Sequence, residues 1–340
     1  MFPRVNSDRL RKTPNIAIVG SSSPLGKELR DLIEAPEFPA GRVTLLETEE
    51  YAGLLQEFAG EIQITQVLSP QAFADVDIAF FSCAPEIISA YAASGQPFPD
   101  LTIDLTGTGR DGILFLGGVS SPADLKPAGY YVNPHPATIA LGRLLSRVHA
   151  DFPVRTAAAT VLEPASERGA AGVAELQEQT VGLLNFQGVE HRVFGGQLAF
   201  NLLPEIAAAQ RIETLVRRQL SAALGDRLPQ LSLATLQAPV FHSHGFSLFL
   251  QLAGSPTVDA VASCLESSGK SIIVHSDKGL SPSPVTVVGS DALHVARLEA
   301  DPGRPGAFFL WAIADNLRVA ASNALQIAEN LMFAPAAPRL

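Results

Sequence analysis

Cysteine is scarce in this chain. Only Cys83 and Cys264 occur in 340 residues, far apart in sequence, which excludes the disulfide framework of a small secreted domain and fits a reduced, cytoplasmic protein. Charge is sparse as well, at 17% of residues, and its balance is acidic, with a formal net charge of -10. A chain without surplus Lys and Arg is poorly suited to neutralising phosphates, so neither a nucleic acid nor an anionic membrane is expected as partner. No apolar run approaches the ~20 residues of a membrane span. The start, Met1 to Lys12, is polar and basic and lacks the apolar core of a signal peptide. Internal repeats and low-complexity tracts are also missing.

What the chain has is 47% hydrophobic residues, enough for two sizeable cores. Asn15–Val19 is almost continuously apolar and reads as a buried parallel strand. Gly20-Ser21-Ser22-Ser23-Pro24-Leu25-Gly26 follows, and a helical pattern runs from Lys27 to Ile33. Strand, small-residue turn and helix are the setting of a dinucleotide fingerprint, here with Ser23 at the position where backbone approaches a pyrophosphate. The expected cofactor residues in this part are Gly20, Ser22, Ser23, Gly26, Glu47 and Ser82. The second strand, Arg42 to Leu46, runs into Glu47-Thr48-Glu49-Glu50. Those carboxylates suit the ribose of NAD and repel the 2′-phosphate of NADP, although a solvated acidic loop would look the same. A third strand begins at Asp77 and ends at Ser82-Cys83, where Cys83 is either a rim residue or a small buried hydrophobe. Leu101 to Asp104 leads into a Gly-rich loop closed by Arg110, an anion ligand or an ion-pair partner of Asp104 or Asp111.

The chain turns at Asn133-Pro134-His135-Pro136, and Asn, Pro and Thr138 are expected to hold the turn and cap a helix over Thr138–His149. Beyond it, strands are expected at Val154–Leu162, at Leu198–Pro204 and, as half-buried antiparallel strands, at Ser232–Leu236 and Phe246–Leu252; helices are expected at Val173–Leu183 and Ile212–Leu224. His242 and His244, two apart on a strand, would share a face. No Cys or acid cluster accompanies them, so no metal is expected. Ala312 to Arg318 is expected to open the last helix, which runs to about Met332 and packs on the first domain.

In their shared order these stretches resemble aspartate-semialdehyde dehydrogenase, from about Asn15 to Met332. The most specific piece is Ala314-Asp315-Asn316-Leu317-Arg318 with Asn323 to Glu329, similar to the family's closing helix. Others are Val19-Gly20 to Gly26, Ala79 to Ser82, Ile103 to Thr106 with Arg110, Gly169 to Leu176 with Glu178-Gln179-Thr180, and Ala199 to Pro204. The resemblance implies an α/β fold. A Rossmann-like dinucleotide-binding domain would comprise 1–134 and 315–340, and an α+β substrate and dimerisation domain 135–314, in a homodimer. It also implies a reaction in which a cysteine attacks aldehyde or acyl phosphate, a histidine moves the proton, two arginines hold phosphate and substrate carboxylate, and NADP carries hydride. By that pattern His244 stands at the base position, Arg110 and Asn133 face phosphate and substrate, and Asn316 faces the cofactor. The departures fall on the chemistry. Pro136 stands at the nucleophile position, Gln237 at the substrate-Arg position, Gln219 at an acidic substrate position, and Glu47-Thr48-Glu49-Glu50 at the NADP-reading stretch. The expected protein is therefore a family member that has lost the thiol- and phosphate-dependent oxidation. The alternatives are an NAD(P)-dependent enzyme with its thiol relocated to Cys83, a different enzyme using His135, His242 or His244 as acid–base groups, and a non-catalytic partner subunit.

Overall fold

A computed structural model describes residues 13–35, 38–107, 111–126, 128–204, 212–275 and 281–333. Arg110 lies outside them. The chain divides into two compact units, one running to Pro134 and resuming at Ala320, the other His135–Val319. The sequence division at 314/315 thus differs from the structural one by a helical turn. Asp315 and Asn316 bind backbone and side chains of the second unit: Asp315 accepts from Gly289 N, and Asn316 accepts from Ser243 N.

The first unit is a parallel sheet with covered faces. Its elements are β1 (Ile16–Val19), α1 (Pro24–Ile33), β2 (Val43–Glu47), β3 (Leu55–Phe58), β4 (Glu61–Ile64), β5 (Gln66–Val67), β6 (Ile78–Phe81), α2 (Pro85–Ala93), β7 (Leu101–Asp104), β8 (Ile113–Leu114) and β9 (Gly129–Val132). The strand order is β5-β2-β1-β6-β7-β9-β8, and β3 and β4 form a separate hairpin. Successive side chains of a strand point to opposite faces, and here both faces are apolar. Ile16, Ile18, Phe80 and Ile103 pack with Leu29 and Ile33 of α1 on one side. Ala17, Val19, Ala79 and Phe81 pack with Ile88 and Tyr91 of α2 on the other. That is why these strands read as continuous hydrophobic runs. Strand order reverses at β1/β6, and in open α/β sheets ligands bind at such a switch point, beyond the carboxyl ends of the strands.

The closing helix completes this core. Ala321, Ala324, Leu325, Ile327 and Ala328 join the Ile16–Phe80 cluster, as its small-residue stripe led us to expect. Asn323 pins it: its Oδ1 accepts from Gly117 N at 2.8 Å, and its Nδ2 donates to Phe115 O and Asn133 Oδ1. Buried amides left without partners are costly. Asn323→Ala is therefore expected to lower unfolding stability by about 2 kcal/mol, measured by urea denaturation.

The second unit contains α3 (Pro136–Asp151), β10 (Val154–Glu163), α4 (Gly169–Leu184), β11 (Leu203–Pro204), α5 (Ile212–Leu224), β12 (Gln230–Gln237), β13 (His244–Leu252), α6 (Val258–Glu266), β14 (Ile272–Val274), β15 (Leu293–Ala300), β16 (Ala307–Ala314) and the first turn of α7 (Asn316–Phe333). Its mixed sheet has the order β11-β12-β10-β13-β16-β15-β14, and α3 packs against α5 and α6.

Several expectations need correcting. The stretch at Ser232–Leu236 is not an antiparallel partner of its long neighbour: β12 runs parallel to β10 and antiparallel only to the two-residue β11. Leu198–Pro204 is strand only at Leu203–Pro204. Ala312–Ala314 ends β16 rather than opening the helix, because these residues are laddered to β13. His242 and His244 share no strand face either. β13 begins at His244, and Ser243 turns the chain with φ of 75°.

Candidate functional site

The turn after β1 is built around two glycines. Gly20 has φ of 79°, and a Cβ there would stand 2.7 Å from Cys83 Cα. A Cβ on Gly26 would stand 2.2 Å from Gly20 O, so both are required for close helix–strand packing. Ser23 is the N-cap of α1: its Oγ accepts from Gly26 N and donates to Ser82 O. The Ser82 hydroxyl is buried and donates to Val19 O and Gly20 O. Glu47, at the end of β2, is buried rather than part of a solvated loop. Its Oε1 accepts from Ser22 N and Ser22 Oγ, both at 2.6 Å, and from Ser21 Oγ at 3.1 Å. The glycine geometry and the strand-end acid fit a nicotinamide dinucleotide. The acid is braced on the loop through Oε1.

Asn133, expected on substrate, is instead a buried structural amide whose Nδ2 donates to Ala320 O. Cys83 is buried, and burial, with the Asp104 and Glu47 carboxylates adding, pushes its thiol up to about 12. At neutral pH its thiolate fraction is then on the order of 10⁻⁵. Cys264, on α6, is pushed up to about 11, first by burial, and its Sγ donates to Arg147 O.

The second unit holds the other cluster. α3 starts with Pro136 at its first turn, where a missing N–H costs nothing. The cap is His135, not Asn or Thr: its Nδ1 accepts from Ala137 N at 3.2 Å. Thr138 Oγ1 and His135 N both donate to Gln219 Oε1. With Nδ1 accepting, the His135 proton sits on Nε2 and is given to Glu167 Oε2, 3.0 Å away. His244 faces the same carboxylate, its Nε2 3.6 Å from Glu167 Oε1. Its ring is 0% exposed, and neither nitrogen has a hydrogen-bond partner. Asn316 Nδ2 donates to Glu167 Oε1 at 2.9 Å and to Ser166 Oγ at 3.0 Å. Expected on the cofactor, Asn316 thus lies in this cluster with both amide atoms engaged. Gln237 is buried, donates to Glu163 O, and leaves its Oε1 unpartnered.

The electrostatics follow from burial. Burial alone would raise the Glu167 carboxyl. His135, His244 and the hydrogen bonds from His135 and Asn316 outweigh it and hold the group down at about 2. Burial pulls His244 down to about 4, and Glu167 offsets only part of that. The resulting arrangement is a carboxylate between two imidazoles. Glu167 is the member that the sequence did not disclose. The available signal was an acid in the short link between a strand end and a glycine-started helix, Ala165-Ser166-Glu167-Arg168-Gly169.

A nucleotide-type parallel sheet and a separate mixed-sheet unit define a two-domain α/β protein of dehydrogenase build. The chain matches the semialdehyde dehydrogenase NAD binding domain over residues 15–110 and the semialdehyde dehydrogenase dimerisation domain over 145–319. It is 31% identical over 330 residues to the USG-1 protein homolog of Pseudomonas aeruginosa, covering 94% of this chain and 97% of that protein. It is 27% identical to the aspartate-semialdehyde dehydrogenase of Rickettsia bellii, covering 95% and 99%. The solved structure of a probable aspartate-semialdehyde dehydrogenase from Pseudomonas aeruginosa superposes with a TM-score of 0.83 at 30% identity, covering 95% and 99%. The chain belongs to the semialdehyde dehydrogenase family.

Proposed function

We propose that this protein is a family member that keeps the dinucleotide and dimerisation domains and has lost thiol-dependent, phosphate-dependent oxidation of aspartate semialdehyde. The observation that carries this reading is the head of α3. Pro136 occupies the position that resemblance assigns to the nucleophile, and His135 beside it is committed to the helix cap and to Glu167. Without a thiolate the covalent step is removed, not slowed, since no other group there can form a thioester. Cys83 is a poor substitute, because burial holds its thiol protonated. Gln237 in place of the substrate arginine leaves an unpartnered acceptor instead of a cation for a carboxylate.

Nicotinamide dinucleotide binding would use Gly20, Ser22, Ser23, Gly26 and Glu47, with NAD preferred because Glu47, Glu49 and Glu50 repel a 2′-phosphate. Bound there, it would supply a hydride acceptor. The protein is proposed to be a homodimer, for which Phe309, 48% exposed on the sheet of the dimerisation domain and packed on Phe249, offers apolar surface. The test of function is a coupled assay with aspartate semialdehyde, phosphate and either NAD or NADP. No turnover above background is expected. Phosphate-dependent turnover abolished by a thiol alkylator overturns the reading.

A second reading is favoured by one observation, the placing of Glu167 between His135 and His244. It supplies the acid partner that an acid–base enzyme would need. On that reading His244, neutral at pH 7, takes a proton and Glu167 stabilises the imidazolium that results.

A further inference from the structure

The His135–Glu167–His244 cluster leaves ring nitrogens without hydrogen-bond partners. His244 is fully buried with both ring nitrogens unpartnered, and its Nε2 stands 3.6 Å from Glu167 Oε1, beyond hydrogen-bond reach. Among the described residues no Lys or Arg pairs with Glu167; its partners are the two imidazoles and Asn316. One ligand atom from each of His135, Glu167 and His244 lies within 4.8 Å of the others. Ligand atoms ~2.0–2.1 Å from one tetrahedral ion stand roughly 3.3 Å apart. His135 Nε2 stands 3.0 Å from Oε2 and His244 Nε2 3.6 Å from Oε1, so the two imidazoles address the two oxygens of one carboxylate, and closing all three on one ion asks only for small side-chain shifts within the 4.8 Å that already encloses them.

We propose that His135 Nε2, Glu167 and His244 Nε2 bind one divalent transition-metal ion of the zinc type. Two imidazoles and one carboxylate are a borderline donor set that suits zinc or cobalt and disfavours calcium or magnesium, which take oxygen ligands. The carboxylate is already aimed. Asn316 Nδ2 holds its Oε1 and is itself held by Ser166 and by Ser243 N, the kind of outer support that orients metal ligands. His135 has to change state. Without metal its proton is on Nε2, because Nδ1 accepts from Ala137 N. On binding, that proton moves to Nδ1, the ring gives up the cap hydrogen bond, and the Nε2 lone pair goes to the ion, with no net proton released from this residue. Three protein ligands leave a fourth position for water or a small anionic ligand. The sequence pointed away from a metal because it could weigh only His242 against His244, whereas the third and fourth candidates come from a strand-end loop and a helix cap.

The experiment is a Co²⁺ titration of tag-free, full-length protein stripped with chelator, followed by visible absorption, with Zn²⁺ competition and metal content by mass spectrometry. One ion per chain is expected, with the intense visible bands of a four- or five-coordinate Co²⁺ site that Zn²⁺ abolishes. Affinity is expected to fall at least about 100-fold in both Glu167→Gln and His135→Ala, each shown to be folded by circular dichroism. If His135→Ala fails to fold for want of its cap, the isosteric Glu167→Gln still decides. His275→Ala, which breaks the separate His275–His294 pair at 2.9 Å, is expected to bind normally. Absence of a stoichiometric site, binding unchanged in Glu167→Gln, or loss of binding in His275→Ala overturns the proposal. None of these outcomes depends on whether the protein oxidises a semialdehyde.

Discussion

Gly26→Ala is expected to lower the stability of the nucleotide domain by about 3 kcal/mol, a loss typical of forced overpacking in a tight core. The added Cβ would lie 2.2 Å from Gly20 O and 2.9 Å from Ser21 Cα. Both are backbone atoms of the turn that β1 feeds into α1, so neither can swing aside as a side-chain tip would. Relief requires the turn to open, and that would disturb Ser23 as N-cap and the Ser22 contacts to Glu47. The contrasting case is Gly53→Ala. Gly53, unlike Gly26 in α1, has positive φ, 86°, but open space where its Cβ would go, so it carries the backbone cost of about 1 kcal/mol without the clash. Denaturant melts of the two variants should separate clearly. Equal losses would mean that the turn is not close-packed.

The second large effect is a pH dependence carried by His244. In the folded chain its pKa is held at about 4 by burial, against an ordinary value of 6.5. Between those values the unfolded chain binds a proton that the folded chain refuses. Stability contributed by His244 is therefore complete above pH 6.5 and is lost as pH falls through 4. The size is about 3 kcal/mol over that window. Glu167 acts in the same direction lower down: with its folded pKa at about 2 against 4.5, its contribution is present above pH 4.5 and is lost as pH falls through 2. In chelator-treated protein, unfolding free energy should fall steadily from pH 6.5 to 4, and His244→Asn should flatten that segment. A parallel pH profile in the variant would show that the imidazole is not kept neutral by its surroundings.

These effects arise where sequence reading was strongest and weakest. The nucleotide domain was legible because a parallel sheet covered on both faces writes each strand as a short apolar run, as at Ile16–Val19 and Ile78–Phe81, and because its turn must carry glycine at positions 20 and 26. The closing helix was legible from its alanines, yet its start was misplaced. Ala312–Ala314 is apolar enough to suit helix or strand, and only the ladder to β13 decides. The alternation along β12 shows half-burial but not the direction of its neighbour, so its parallel pairing with β10 is not written in the sequence.

The site was legible residue by residue and not in its assembly. Pro136 and Gln237 could be seen as departures from a family pattern. The convergence of His135, Glu167 and His244 could not, because a helix cap, a strand-end loop and a strand start meet only through the second unit's fold. The Glu47 contacts to the glycine turn were hidden for the same reason. An acid after a strand reads equally as ribose ligand or solvated loop until its burial is known.

The central claim is that no thiol of this chain can carry the covalent step. It is tested most directly by intact-protein mass measurement after incubation with aspartate semialdehyde and NAD or NADP in the absence of phosphate, where an active family member would accumulate an acyl-enzyme. The expected result is an unchanged mass, with Cys83 and Cys264 both recovered unmodified on peptide mapping. An acyl group found on Cys83 would contradict the account.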